Sequence, residues 1–213
     1  MVVTNYACLP ADLENAVKIG EGKYREVFRA DNYALKILKS HVRKNYGLFK
    51  IDFPTNLYTK YKFGITDFNQ FEYDMFRDFI ERIPTEFRNK FSHIHYVGKI
   101  NGKSCSFSDL VSNCDGIISK TLAQNGKLKN DNFWKQIEEL EGVLVDKKVT
   151  ITDIRGENIM VKEMEEEVAP IFVDFKRYGS ITYPIQIWLS SEKQLVEKMK
   201  RRFQRLREQY RQY

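Results

Sequence analysis

The residues best suited to chemistry stand in the stretch Thr152-Asp153-Ile154-Arg155-Gly156-Glu157-Asn158-Ile159, with Asp174 following in Val173-Asp174-Phe175. An Asp, four spacers and an Asn lead into a short apolar hairpin that ends in a second Asp. Phosphoryl transfer asks a protein to position a nucleophile and to hold divalent metal, and three side chains at these points suffice. Asp153 would accept the proton of an attacking hydroxyl, Asn158 would ligate one magnesium ion, and Asp174 would bridge metal to phosphate. The runs Ile159–Lys162 and Ala169–Val173, parted by Glu163–Glu167, predict a hairpin that folds Asp174 back toward Asn158. Short patterns of this kind also arise by chance, so the rest of the chain must supply the partners.

Near the N-terminus, Val17–Phe28 reads as a strand, the glycine pair Gly20 and Gly22, and a second strand. Glycines at i and i+2 let a backbone approach phosphate oxygens and donate its N–H groups there, although a plain hairpin turn has the same composition. Val27 follows where a side chain could cover a base. In Tyr33-Ala34-Leu35-Lys36-Ile37-Leu38 the two-residue period puts Ala34 and Lys36 on one face and Leu35 and Ile37 on the other. A small residue beside a cation suits a purine ring close to a polyphosphate.

Residues 40–65, aromatic, basic and broken by Gly47, Pro54 and Gly64, read as an irregular connection with a short helix. Asp67 and Gln70 predict a capping box that starts a helix running to Ile83, stopped by Pro84. Phe68, Phe71, Met75, Phe76 and Phe79 define its core face, and Glu72 falls within that face. A buried carboxylate without a partner costs several kcal/mol, about what breaking a buried ion pair costs. Lys36 is the natural partner, and Glu81 is a weaker alternative to Glu72 on the polar side.

Ile94–Ile100, the turn Asn101-Gly102 and Ser104–Val111 predict a hairpin, in which His93 and His95 are ordinary strand residues. The polar stretch Ser112–Gly116 suits a hinge whose backbone groups read an adenine edge, with Leu110 or Val111 beside the base. From Asn130 or Asp131 a helix carries Phe133, Ile137, Leu140 and Leu144 on one side, and Val149-Thr150-Ile151 leads on to Asp153. A last helix has the stripe Leu195, Met199, Phe203, Leu206 and Tyr210, with Arg and Lys opposite. Its basic face is either solvated or a site for an acidic protein, a phosphate-rich ligand or a membrane surface.

Composition narrows the class. With 213 residues, 42% apolar and 14% aromatic, the chain can bury a sizeable core as one domain or two small lobes. Residues 192–213 hold eight Lys or Arg against three Glu, so most of the net +6 sits in the tail. The near-neutral remainder argues against a chain devoted to nucleic acid. Cys8, Cys105 and Cys114 have neither metal-ligand nor C-x-x-C spacing and read as reduced thiols of a cytoplasmic protein. No run suits a signal peptide or a transmembrane span.

Taken in order, G-x-G followed by Val27, Ala34-x-Lys36, a helical Glu, Asp153-x-x-x-x-Asn158 and Asp174-Phe175 resemble the motifs of protein kinases. The sequence departs from that pattern where Arg25 replaces the third glycine of the loop and Lys176 replaces the Gly of D-F-G; an A-P-E is lacking as well. Among kinase-like groups it is similar to the bacterial YrbL-like proteins of the PhoP regulatory network. That likeness is clearest in Ile19–Lys36, Asp109–Gly116 and Val149–Asp174.

The resemblance implies an α+β, bilobal kinase-like fold in one domain. Its antiparallel-sheet N-lobe with one helix would span about 1–111, its hinge about 112–116, and its shortened helical C-lobe about 117–213. It implies ATP and Mg2+ as cofactors, with Gly20, Gly22, Arg25, Val27, Ala34, Lys36 and Val111 around the nucleotide. Asp153, Lys36 and Glu72 would be catalytic, and Asn158 and Asp174 would hold metal. Arg25 has three possible roles: contact with a phosphate, pairing with an acidic C-lobe residue, or exclusion of nucleotide, and the first two are favoured. The leading expectation is a minimal Ser/Thr protein kinase with a protein substrate. A nucleotide-binding pseudokinase with a regulatory partner and a small-molecule kinase of the aminoglycoside type are the alternatives.

Overall fold

Residues of period-two polarity dominate the first half of the chain, and they form strands. In the computed structural model, which describes residues 13, 15–22, 24–39, 41–46, 49–54, 67–151, 153–174 and 191–212, the chain is α+β and divides into two compact units. The first comprises Met1–Asp74 and His93–Leu110, the second Met75–Ser92 and Val111–Tyr213. Cys8, Thr152, Phe175 and Lys176 lie outside the described residues.

The first unit is built on an antiparallel sheet of β1 (Val17–Glu21), β2 (Arg25–Ala30), β3 (Tyr33–Leu38), β6 (Ile94–Ile100) and β7 (Lys103–Asp109), ordered β1-β2-β3-β7-β6. Asn101 and Gly102 turn the β6–β7 hairpin with φ of 50° and 75°, the left-handed pair that matches strand twist. Cross-strand partners share a face. Phe28, Leu35 and Phe107 are therefore on one side, where Ala30, Leu35, Cys105 and Phe107 form an apolar core. Val27, Ala34, Lys36, Ser106 and Ser108 are on the other.

The stretch expected to be irregular contains a separate hairpin instead, β4 (His41–Tyr46) paired with β5 (Phe49–Pro54). The signal was present, since Phe49, Ile51 and Phe53 alternate with Lys50 and Asp52.

Helix α1 (Phe68–Arg82) begins one residue after its cap. Asp67 Oδ1 accepts from the backbone N–H groups of Asn69 (2.9 Å) and Gln70 (3.2 Å). Gln70 bonds forward to Asp74 and not back to residue 67, so the cap is a simple N-cap rather than the expected box. A short helix α2 (Thr85–Arg88) follows Pro84.

The second unit packs helices on a small antiparallel sheet ordered β10-β9-β8, from β8 (Lys120–Thr121), β9 (Ile159–Glu163) and β10 (Val168–Phe172). Besides α2 and the latter part of α1, its helices among the described residues are α3 (Leu122–Asn125), α4 (Asp131–Asp146) and α5 (Glu192–Tyr210). Asn130 caps α4 through a 2.9 Å bond from Phe133 N–H, and Phe133, Trp134, Ile137, Leu140 and Leu144 are fully buried. Each such side chain contributes about 1.5–3 kcal/mol. Met199, Phe203, Leu206 and Tyr210 bury the apolar stripe of α5, while Leu195 is half-buried. An aromatic series, Phe79–Phe91–Phe172–Phe203, runs through this unit with centroid separations of 4.8, 5.6 and 6.3 Å.

Candidate functional site

The candidate residues fall into two groups, one in each unit. In the first unit, Lys36 is buried on β3 with Ala34 two residues before it, on the polar face that also holds Val27. Gly20 lies in β1 opposite Val27, beside an irregularity in the β1–β2 ladder. Neither Gly20 nor Gly22 has a left-handed φ. A Cβ built on them would meet its nearest atoms at 3.9 and 3.6 Å, ordinary contact distances. The fold itself therefore does not require glycine at either position. Gly22 is only partly available, because its N–H donates to Arg25 O at 2.8 Å and its carbonyl accepts from Lys39 Nζ at 2.9 Å. Lys18 and Lys39 also bond the Glu21 carboxylate, which holds its pKa down at about 2.

Glu72 is buried in the first half of α1, as its place in the helix stripe predicts. Its closest cation differs from the expected one. Arg25 Nη1 bonds Glu72 Oε2 directly, whereas Lys36 Nζ is 3.9 Å from Oε1, beyond hydrogen-bond distance. Glu72 Oε1 is buried without a hydrogen-bond partner. Arg25 thus finds an acidic residue within its own unit, where the expectation was a phosphate or a C-lobe acid.

Sequence reasoning also missed what stands around this pair. Arg25 Nη1 lies 3.4 Å from Asn69 Oδ1, and Asn69, fully buried, donates to Ser104 Oγ at 3.0 Å. Ser104 Oγ donates in turn to Asp67 Oδ1 at 2.6 Å. The signal was Asn69 three residues before Glu72, on the same helix face. Tyr24 stacks on Phe68 with centroids 5.1 Å apart, so the strand after the glycines is fastened to α1 by a ring pair and an ion pair.

In the second unit the backbone gathers Asp153, Asn158 and Asp174. A 3-10 turn spans Gly156–Asn158, closed by Asn158 N–H donating to Arg155 O at 3.0 Å. Asn158 is buried, and its Nδ2 donates to the Asp153 carbonyl at 3.0 Å. The hairpin pairs Ile159 with Phe172, and Val173 N–H donates to Asn158 O at 2.9 Å. Asp174 is therefore returned beside Asn158, as the hairpin predicts. Asp174 has φ 54°, a left-handed conformation that Asp tolerates better than most residues, at about 1 kcal/mol. Asp153 Oδ1 pairs with Arg155 Nε at 2.8 Å, a contact the sequence reading did not anticipate. Arg155 is 59% exposed, so the pair is worth about 0–1 kcal/mol and can open.

The donor set suits a hard cation. With Nδ2 bonded to Asp153 O, Asn158 presents Oδ1, to which no donor reaches among the described residues. Magnesium is commonly held by one or two protein oxygens, with water and phosphate completing the octahedron. Among the described residues, His, Cys, Asp and Glu form no metal-type group of three or more.

Val111 is buried, and its carbonyl accepts from Ser119 N–H at 3.0 Å. In the stretch expected to be a hinge, the N–H groups of Asn113, Cys114 and Gly116 donate to Ile117, Glu163 and Asn113, respectively. Those donors are engaged within the second unit and are not directed at a base. His95 pairs with Asp109 at 2.5 Å, in keeping with an ordinary strand position. No helix among the described residues is long and apolar enough to cross a membrane.

No protein-family model matches the chain. No curated protein matches it either. Among solved structures it is similar to the crystal structure of a kinase domain, with TM-score 0.44 and 13% identity over 76% of this chain and 46% of that one. It is also similar to PpkA-294 in its apo form, with TM-score 0.46 and 17% identity over 84% of this chain and 62% of that one. The chain thus spans 46% and 62% of the lengths of these two structures.

Proposed function

We propose that the chain is an ATP- and magnesium-dependent phosphotransferase of the protein-kinase kind, acting on a Ser or Thr hydroxyl of a protein. The observation that carries this reading is the closure of Asp153, Asn158 and Asp174 into one cluster. Asn158 Nδ2 bonds Asp153 O, and Val173 N–H bonds Asn158 O. Asn158 and Asp174 would hold magnesium, which supplies charge neutralisation on the transferring phosphate. Asp153 would orient the acceptor hydroxyl and take its proton. In the first unit, Lys36 would bind the α- and β-phosphates, and Gly20, Val27 and Ala34 would face the nucleotide. The YrbL-like kinship belongs to the same reading.

A second reading, a nucleotide-binding pseudokinase, draws on one observation: Arg25 bonds Glu72 directly, while Lys36 pairs with its other oxygen only at 3.9 Å. One experiment separates the two. The protein and Asp153→Ala are incubated with labelled ATP and magnesium, with their own chains and casein as acceptors, followed by intact mass. Loss of a positioned general base lowers rates about 10²–10⁴-fold. Asp153→Ala should bind ATP and magnesium nearly as tightly as the wild type and transfer almost no phosphate. Equal transfer by both proteins rejects the role of Asp153; no transfer by either favours the pseudokinase.

A further inference from the structure

Gly156 sits at the start of the turn that carries Asn158, and it is buried. Its φ is not left-handed, so backbone torsion alone would accept any residue there. Space is what excludes one. A Cβ at Gly156 would fall 2.6 Å from Tyr210 Cζ and 2.7 Å from its Cε2 and hydroxyl oxygen. The aromatic ring of the last turn of α5 therefore lies flush against the backbone between Asp153 and Asn158.

That ring is not loosely held. Tyr210 is 8% exposed. Its carbonyl accepts from Leu128 N–H at 2.8 Å, and Gln212 N–H donates to Leu128 O at 3.1 Å. The same Leu128 carbonyl accepts from Nε1 of the buried Trp134 at 2.9 Å. Arg207 bonds Glu141 at 2.5 Å, and Arg211 bonds Glu138 at 2.7 Å, so the end of α5 is tied to α4 on both sides of Tyr210. The backbone that carries the ring is therefore held in place, and the ring itself is buried, with its hydroxyl accepting from Gln209 Nε2 at 3.0 Å.

We infer that Tyr210 is a positioning residue. Its ring fixes the Gly156 turn, and through that turn the placement of Asp153 and Asn158. The inference rests on the reading of these two residues as the phosphotransfer pair. It gives the tail helix a task beyond completing a core, and it assigns the glycine a steric role.

The test uses the full chain with Gly156→Ala, Tyr210→Phe, Tyr210→Leu and the double variant Gly156→Ala/Tyr210→Leu. Gly142→Ala is the control, because a Cβ there meets nothing within 4 Å. Two readouts are taken: amide exchange over residues 153–159 relative to α4, and kcat and KM for ATP with magnesium. Gly156→Ala should speed exchange in 153–159 while α4 stays protected. It should lower kcat by about a hundred-fold, the scale of a 1 Å misplacement, with KM little changed. Tyr210→Phe, which keeps the ring, should behave as wild type. In the Gly156→Ala background Tyr210→Leu should relieve the clash, so the double variant should exchange no faster over 153–159 than Tyr210→Leu alone.

Unchanged exchange in Gly156→Ala, or a double variant that exchanges faster over 153–159 than Tyr210→Leu alone, overturns the inference. If Gly156→Ala fails to fold, Tyr210→Leu alone decides, because exchange in 153–159 must rise there. If the wild type transfers no phosphate, the phosphotransfer reading fails, and the exchange data still decide whether Tyr210 holds the turn.

Discussion

Glu72 shows how much one buried carboxylate depends on which cation reaches it first. Arg25 bonds one oxygen, and Lys36 stands off the other at 3.9 Å. Breaking a buried pair by removing one partner costs about 3–5 kcal/mol, because an uncompensated charge remains. Arg25→Met should therefore destabilise the protein by about 3 kcal/mol in denaturant unfolding. Lys36→Met should cost clearly less, and Glu72→Gln should recover part of the loss in the Arg25→Met background. Should Lys36→Met prove as costly as Arg25→Met, the primary partner would be Lys36 after all. Arg25 thus emerges as the residue that ties the strand after the glycines to α1.

At the scale of elements, the tail helix is the clearest case of a segment whose stability comes from packing rather than propensity. Its face of Met199, Phe203, Leu206 and Tyr210 is buried, and Arg207 and Arg211 pair with acids of α4. Part of the basic surface is therefore used within the unit. Four such side chains contribute about 6–12 kcal/mol of burial, comparable with the entire stability of a domain. Deleting residues 192–213 should cause aggregation or a large drop in melting temperature. A truncated protein that melts like the full chain would mean that α5 is an appendage.

At the scale of the whole molecule, each unit has a core of its own, Ala30, Leu35, Cys105 and Phe107 in the first and the α4 side chains in the second. The two described cysteines report on this. Cys105 is fully buried, which pushes its thiol up to about 11, while Cys114 is exposed. A thiol reagent at neutral pH should modify Cys114 rapidly and Cys105 only through opening of the first unit. Because the unfolded chain ionises Cys105 near pH 9 and the folded chain only near 11, its contribution to stability should fall as pH rises through that window. Comparing the wild type with Cys105→Ala between pH 8 and 11 isolates the effect. Equal labelling rates for both thiols in the folded protein would contradict the burial on which this rests.

The sequence by itself determined what depends on neighbours along the chain. Periodicity placed α1, α4 and α5, the Asn101-Gly102 hairpin and the β9–β10 fold-back that returns Asp174 to Asn158, because a helix or hairpin obeys spacings of a few residues. The same local logic placed Glu72 and Lys36 on inward faces. It failed for the β4–β5 hairpin only because Gly47, Pro54 and Gly64 outweighed a legible alternation. Tertiary structure decided what depends on distance between remote residues: that Arg25 takes Glu72, that Arg155 covers Asp153, and that Tyr210 fills the space a side chain at position 156 would need. Pairing of charges and exclusion of atoms act through space at a few ångströms. No spacing rule along the chain encodes them, and only the folded backbone brings those partners together.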